Sequence, residues 1–361
     1  MSLPSTFRAA TIRVPKSRHT IIERSLTEAI RSDEVGIKIT ATAVNPVDWK
    51  MRDHDAFIKE YPAILGSDAA GTIVAVGSNV TRFSAGDRVF FQGIIGDYDS
   101  STFQQYCKMP AALVSATPEN ISDVEAAGIS LATMAVATAF YDKTGYGLKA
   151  PWESGGAMAG SGRAIAIIGG ASSVGQYAIQ LARLSGFTRI ITNASPTNQA
   201  MLRDLGAHVV LDRSQTSAED FKAATSGLPL TFIFDAISAK TTQILGVQIL
   251  KTTEAENGCL VTLHVVRPEA LDQDAVELAQ SSQPAISIKQ VLGIGSSPDL
   301  RYLSEPMAKA LGGADGYIAS GLVKPNKPRL VRGGLEAVEE ALELNRNGVS
   351  GVKVVLCPNE E

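Results

Sequence analysis

The sequence predicts an α/β protein of two parts, a small β-barrel and a doubly wound parallel sheet. Three observations predict it. The apolar run Ala164 to Ile168 breaks into the small-residue turn Gly169-Gly170-Ala171-Ser172-Ser173 and continues as a helical pattern as far as Gly186. Apolar runs then alternate with helix-like segments almost to residue 300. The N-terminal third instead carries short β-like runs punctuated by Gly and Pro, as expected of a small barrel.

The alternating part reads as follows. In the first helix Val174, Ala178, Leu181 and Ala182 share one face. Thr188 to Asn193 is a second strand, and Asn198 to Leu205 a helix closed by Gly206 as C-cap. Ala207 to Asp212, Leu230 to Asp235, Cys259 to His264 and Ile286 to Leu292 are the third to sixth strands. Strands alternating with helices imply a parallel sheet with right-handed crossovers, here a Rossmann domain over 130–299. The flanking residues, 1–129 and 300–361, form the other domain.

The turn after the first strand suits a dinucleotide. Glycine permits a tight turn and close backbone approach, and the helix N-terminus offers unpaired N–H groups to a pyrophosphate. Gly170, Ala171, Ser172, Ser173 and Val174 are its candidate contacts. The match to Gly-x-Gly-x-x-Gly is imperfect, and an ordinary β–α turn would share these features. NAD binders place an acid about 20 residues further on, against the ribose 2′-hydroxyl. Here the second strand ends Thr192-Asn193-Ala194-Ser195-Pro196, without one. Ser195 and Asn198 offer donors in its place and Arg213 a cation, which favours NADPH. Ser195-Pro196-Thr197 would equally serve as a helix N-cap.

Composition narrows the class. The chain has 361 residues, 45% hydrophobic and 19% charged, enough to bury two cores. A net charge of -4 and no basic cluster argue against nucleic acid as a partner. The three cysteines are far apart, so no disulfide framework or metal knuckle is signalled. No apolar run approaches a membrane span. Arg8, Arg13 and Arg18 faintly resemble a transit peptide, but Phe7 to Val14 reads better as an opening strand. The expected location is the cytoplasm, without membrane association.

Further barrel strands are expected at Val35 to Thr42, Ala69 to Val76, Asp87 to Phe91 and Leu113 to Ala116. The stretch Tyr61 to Val89 places Gly66, Gly71, Gly77 and Gly86 at strand ends. Together with the glycine turn, this stretch resembles the medium-chain dehydrogenase/reductase superfamily along essentially the whole chain. The resemblance implies a GroES-like β-barrel domain plus a Rossmann domain. It also implies a C-terminal return to the barrel through the helix-like Gly334 to Leu344 and the strand Gly351 to Leu356.

The zinc alcohol dehydrogenases of that superfamily carry Gly-His-Glu where this chain has Gly66-Ser67-Asp68, and a ligating Cys near Val44-Asn45-Pro46-Val47-Asp48. Catalytic zinc needs three protein ligands, and none of the four histidines has ligand spacing. No metal is expected. Asn-Pro-x-Asp-x-Lys with Gly-x-Asp-x-x-Gly resembles the zinc-free quinone oxidoreductase and enoyl reductase branch. Trp49-Lys50, the glycine turn, Ala194-Ser195-Pro196 and Leu292-Gly293-Ile294-Gly295 are similar to the fungal trans-acting enoyl reductases.

That branch implies hydride transfer from nicotinamide to the β-carbon of an α,β-unsaturated carbonyl, a small molecule or carrier-bound. The enolate formed needs charge stabilisation and then a proton. Lys50 is the leading candidate for steadying the oxyanion, with a solvated surface lysine as the alternative. Asn45 is expected to donate through its amide, or to be a turn residue before Pro46. Asp48 is expected to orient Lys50 or a nearby backbone group, and Asp68 to be structural. Pro46, Lys50 and Thr138 are expected along the cofactor, although a helical Thr can also bond back to its own turn.

Asp235, Ala236 and Ile237 form the expected lip beside the adenosine. His264, Gly293 and Lys353 are further cofactor positions, with a core histidine and a surface strand lysine as the alternatives for His264 and Lys353. Gly295 is read with Gly293 as backbone that reaches the carboxamide. The insert Glu153 to Gly162 reads as mobile. A quinone reductase of the same fold and a non-catalytic NADPH-binding protein are the competing functions. The protein is expected to be a monomer or homodimer.

Overall fold

A computed structural model describes residues 3–263 and 271–360. The chain forms two compact units, Met1–Leu131 with Ile294–Glu361, and Ala132–Gly293.

The first unit opens with β1 (Phe7–Ile12), β2 (Thr20–Arg24) and β3 (Glu34–Ala43), followed by helix α1 (Pro46–His54). Strands β4 (Ala63–Ile64), β5 (Asp68–Val76), β6 (Arg88–Gln92), β7 (Tyr106–Pro110) and β8 (Val114–Ala116) follow, then helix α2 (Asp123–Ala126). Helix α3 (Ser130–Tyr141) begins at its boundary. The alternation in β3 puts Val35, Ile37 and Ile39 in one apolar cluster with Ile73, Val89, Phe91 and Met109.

The second unit holds β9 (Ala164–Ile168), α4 (Ser173–Leu184), β10 (Arg189–Ala194), α5 (Gln199–Asp204), β11 (Val209–Asp212) and α6 (Ala218–Ala224). It continues with β12 (Leu230–Asp235), α7 (Lys240–Thr252), β13 (Cys259–Leu263), α8 (Gln273–Gln280) and β14 (Ser287–Val291). The sheet order is β11-β10-β9-β12-β13-β14, with every pair parallel. This is the doubly wound arrangement with its order reversing at β9. All five residues of β9 are buried, which explains its unbroken apolar run. Phe140 meets Phe232 and Phe234 edge-on at 5.0 and 5.5 Å, and Tyr146 stacks on Phe232 at 4.2 Å.

The chain then returns to the first unit as α9 (Arg301–Leu311), β15 (Lys327–Val331), α10 (Val338–Arg346) and β16 (Val352–Leu356). Strand β16 pairs with β3, Val355 opposite Ala43. The first unit's larger sheet runs β15-β16-β3-β5-β6-β8, with β7 on β3, and β2-β1-β4 form a smaller sheet.

Glu153 to Gly162 is a series of turns, exposed over most of its length, in which buried Gly160 donates its amide to Ser185 O at 2.7 Å and lies against the Phe187 ring. Its small residues permit this close approach. The stretch Asp123–Tyr141, covering α2 and α3, is long and apolar enough to cross a membrane, contrary to the reading that no run approaches that length. With 83% of it buried in the protein, it is a core segment.

Strands β3 and β5 approach so closely at Gly71 that a Cβ there would lie 2.2 Å from Lys38 O. Gly71→Ala is expected to destabilise the protein by about 2 kcal/mol. Urea unfolding should show a lower midpoint at unchanged slope; an unchanged midpoint would contradict this packing.

Candidate functional site

The glycine turn of the second unit is built by packing. Gly169 adopts φ +82°, and a Cβ on Gly170 would lie 2.2 Å from Thr192 Oγ1. On Gly175 it would lie 2.3 Å from Gly169 O, so this glycine sets the contact of α4 with the turn. Ser172 is the N-cap of α4, its hydroxyl accepting from Gly175 N at 3.0 Å. Ala171, Ser172, Ser173 and Val174 remain partly exposed around the first helical turn. Asn193, first noted only for not being an acid, clamps this turn. Its Oδ1 accepts from Gly169 N at 2.9 Å and its carbonyl from Gly170 N at 3.1 Å.

Beyond the turn, Ser195 and Arg213 follow adjacent strands, joined where Arg213 N donates to Ala194 O at 3.1 Å. Ser195 stands at the N-cap position of the short turn Pro196–Asn198, as the alternative reading expects, but its hydroxyl makes no capping hydrogen bond. Arg213 is exposed and makes no ion pair among the described residues. Asn198 stands one short turn on, its amide bonded to Ser195 O at 3.0 Å.

On the far side of the turn the expected lip is present, with one correction. Asp235 is fully buried, so its carboxylate faces no ligand. Oδ1 accepts from the amides of Ile237 and Ser238, each at 3.0 Å, and Oδ2 from Thr242 Oγ1 at 2.7 Å. Burial raises its pKa. It holds the lip in place, and the exposed Ile237 forms it, over Gly169. Ala236, partly exposed beside it, donates its amide to Ile168 O at 3.1 Å.

Thr138 is 1% exposed and donates to Met134 O at 2.9 Å, the helical back-bond. Gly293 packs on α3, where a Cβ would lie 2.8 Å from Ala135 Cα. His264 lies outside the described residues.

The first unit gathers a second set of polar residues. Lys353 is not a surface lysine: it is 4% exposed, and Gly128 leaves room for its stem, since a Cβ there would lie 2.6 Å from Lys353 Cγ. Its ammonium donates to Asn45 Oδ1 at 2.5 Å and lies 3.9 Å from Asp68 Oδ2. The Asn45 amide nitrogen faces Asp68 Oδ2 and Ala43 O, both at 3.4 Å. Asn45 therefore spends its donors inside the fold, as the N-cap of α1. Asp68 also accepts from Leu131 N at 3.2 Å. Asp48 accepts from Asn45 N at 2.7 Å and from Ser67 Oγ at 2.8 Å. It orients backbone and Ser67, and the expected contact with Lys50 is absent among the described residues.

Burial pushes Asp48 up to about 6, against its hydrogen bonds from Asn45 and Ser67. Burial likewise raises Asp68 to about 7, opposed by Lys353. Lys353 is lowered by the same burial.

Pro46 is exposed at the first position of α1, where its missing N–H costs nothing. Lys50 is partly exposed on that helix, its ammonium 5.4 Å from the Trp49 ring centroid, and burial lowers its pKa. The helix is anchored from beneath. Buried Arg52 pairs with Asp53 at 2.8 Å and with Glu339 and Glu343 of α10, each at 2.7 Å, while Trp49 Nε1 donates to Asn345 Oδ1 at 3.1 Å. Gly295, read as carboxamide-binding backbone, gives its N–H to Gln92 Oε1 at 3.0 Å and has none to offer.

Known proteins are similar to this chain. Residues 31–119 match the family model of the alcohol dehydrogenase GroES-like domain, and 173–301 that of the zinc-binding dehydrogenases. The trans-enoyl reductase himH of Aspergillus japonicus is 34% identical over 340 residues, covering 90% of this chain and 89% of that protein. The chain belongs to the medium-chain dehydrogenase/reductase superfamily. Another relative, dehydrogenase azaJ of Aspergillus niger, is 30% identical over 98% of this chain and 99% of its own. The Escherichia coli quinone oxidoreductase, solved with NADPH, shares the fold at TM-score 0.69 and 21% identity, over 98% of this chain and 100% of that one.

This member of the superfamily places an amide, a hydroxyl and a carboxyl (Asn45, Ser67 and Asp68) where its zinc-dependent members are expected to carry ligands. Lys353 supplies the positive charge among them. Both buried carboxyls bind protons more tightly in the folded chain than at their ordinary pKa of 3.8. Their stabilising contribution is thus fully present below about pH 4 and lost as pH rises through about 6 and 7. Asp48→Asn removes one such group, so its stability relative to the wild type is expected to improve between pH 4 and 7 in urea unfolding. A difference independent of pH would show that Asp48 titrates normally.

Proposed function

We propose that this chain is an NADPH-dependent, zinc-independent reductase. It delivers hydride to the C=C of an α,β-unsaturated carbonyl, as an enoyl thioester or an enone. The observation that carries the cofactor preference is the rim beyond the glycine turn. The Ser195 hydroxyl and the unpaired Arg213 guanidinium stand on neighbouring strand ends. The residues present fit a dinucleotide: the glycines let the turn pack tightly under the start of α4, and Ala171 to Val174 remain partly exposed around the helix N-terminus. Gly170 to Val174 would hold the pyrophosphate, Ser195, Asn198 and Arg213 the 2′-phosphate, and Ala236 and Ile237 the adenosine edge.

When bound, the reduced nicotinamide supplies the hydride. The chain's own work is to stabilise the charge that develops on the carbonyl oxygen. Lys50 does this through its ammonium, whose lowered pKa eases proton donation. Asp48 and Asn45 are positioning residues. They cap the helix that carries Lys50, and Lys353 holds Asn45 in turn. The ammonium of Lys353 among Asn45 and Asp68 supports a site that works without zinc. Thr138, its proton given to Met134 O, retains only acceptor capacity. Similarity to himH over 90% of the chain supports the enoyl substrate class, small or carrier-bound. Quinone reduction is the second reading, supported by the shared fold of the Escherichia coli enzyme.

NADPH consumption with a panel of enoyl thioesters, enones and quinones tests the reading. Saturated thioesters or ketones are expected as products, whereas hydroquinones alone would favour the second reading. Inertness across the panel would sink both. Arg213→Gln is expected to weaken NADPH binding by about 10- to 100-fold, the worth of one charge-assisted contact, and to leave NADH binding unchanged. Equal losses for both cofactors would remove Arg213 from the phosphate site.

A further inference from the structure

The first unit carries a cleft at the other end of β6 from the buried cluster. Gln92 of that strand lies opposite Asp68, and Arg88 opposite Thr72. Four residues of strand separate the two ends by about 13 Å. At the Arg88 end is a cleft of about 410 Å³, walled by the turn before β6, the end of β8 and the C-terminus of α9.

Its charges are unbalanced. Three cations, Arg82, Arg88 and Lys309, line it together with the single carboxylate of Asp87. Arg88 is already committed, with Nε donating to Asp123 Oδ1 at 2.8 Å and an outer nitrogen to Ile121 O at 2.9 Å. Asp87 accepts from Ser84 N at 2.8 Å on one oxygen and keeps its negative charge, which offsets one of the cations. Arg82 and Lys309 make no ion pair among the described residues. The Arg82 guanidinium carbon lies 4.7 Å from the Phe83 ring centroid, a contact that lowers the entropic cost of ordering this side chain. Thr117 forms part of the wall, and its hydroxyl is buried without a hydrogen-bond partner. A buried hydroxyl left unpaired is uncommon and costs free energy.

We propose that this cleft binds the dianionic phosphate group of a small organic phosphate monoester. Arg82 supplies a planar pair of donors and Lys309 a point charge, the combination that suits a phosphate. Thr117 donates a third hydrogen bond. The cleft is larger than a lone phosphate needs, which leaves room for the organic part. This inference is independent of the cofactor reading, whose phosphate contacts lie in the other unit.

The test uses the full chain carrying Arg213→Gln, so that phosphate bound at the cofactor rim does not contribute. Glycerol 3-phosphate and inorganic phosphate are titrated by calorimetry at constant ionic strength, before and after adding Arg82→Gln with Lys309→Gln. Both ligands are expected to bind, the ester more tightly, and to lose at least about tenfold in affinity with the two substitutions. Thr117→Val alone should cost severalfold. Lys222→Gln on α6 should change nothing, and unchanged urea midpoints would show that the variants fold. Equal affinity with and without Arg82 and Lys309, or no binding of either ligand, would overturn the proposal.

Discussion

The buried ammonium of Lys353 joins four segments of the first unit. Lys353 reaches from β16 to Asn45 and Asp68, and through Asn45 to Asp48. Removing one partner of a buried ion pair typically costs about 3–5 kcal/mol, because the remaining charge is left unpaired. Replacing the whole cluster with apolar groups would cost less, so stability alone does not explain it. Its effect is positional. The C-terminal strand, the start of α1, the start of β5 and the amide of Leu131 converge on the same few atoms. Lys50 thereby sits on a helix fixed at its N-terminus by this cluster and along its length by Arg52 on α10.

Much of the second unit was legible because its signals are local. The fully buried β9, the turn glycines and the alternation of strand and helix are readable within a few residues of each other. What escaped were side-chain roles set by distant partners. Asn193 was noted for what it was not, yet it clamps the turn from the next strand. Asp235 ends β12 as expected, but the turn that follows takes one of its oxygens and Thr242 of α7 the other.

In the first unit most strands of the larger sheet were visible, while β2, β4, β7, β15 and the helix α1 were not. Helix α1 has no apolar stripe to betray it. Its buried residues are Asp48, Met51 and Arg52, two of them charged. Lys353 and Asn45 are 308 residues apart, so neither could announce the other. The residue types were still informative. Asn, Asp and Lys in a short polar motif marked α1 as unusual, and the structure turns that motif into a helix cap with a charged floor.

The two units divide the work. In the proposed reaction one offers backbone and small residues to a dinucleotide, the other a lysine on a braced helix, with an ammonium among the neighbouring polar groups. The most direct test of this account is isotopic. Chelator-treated protein of measured metal content is given NADPH deuterated at the transferable position of C4, with an enoyl thioester. The account predicts deuterium at the β-carbon of the saturated product and a rate indifferent to added zinc. Product without deuterium, or turnover that returns only with zinc, would contradict it.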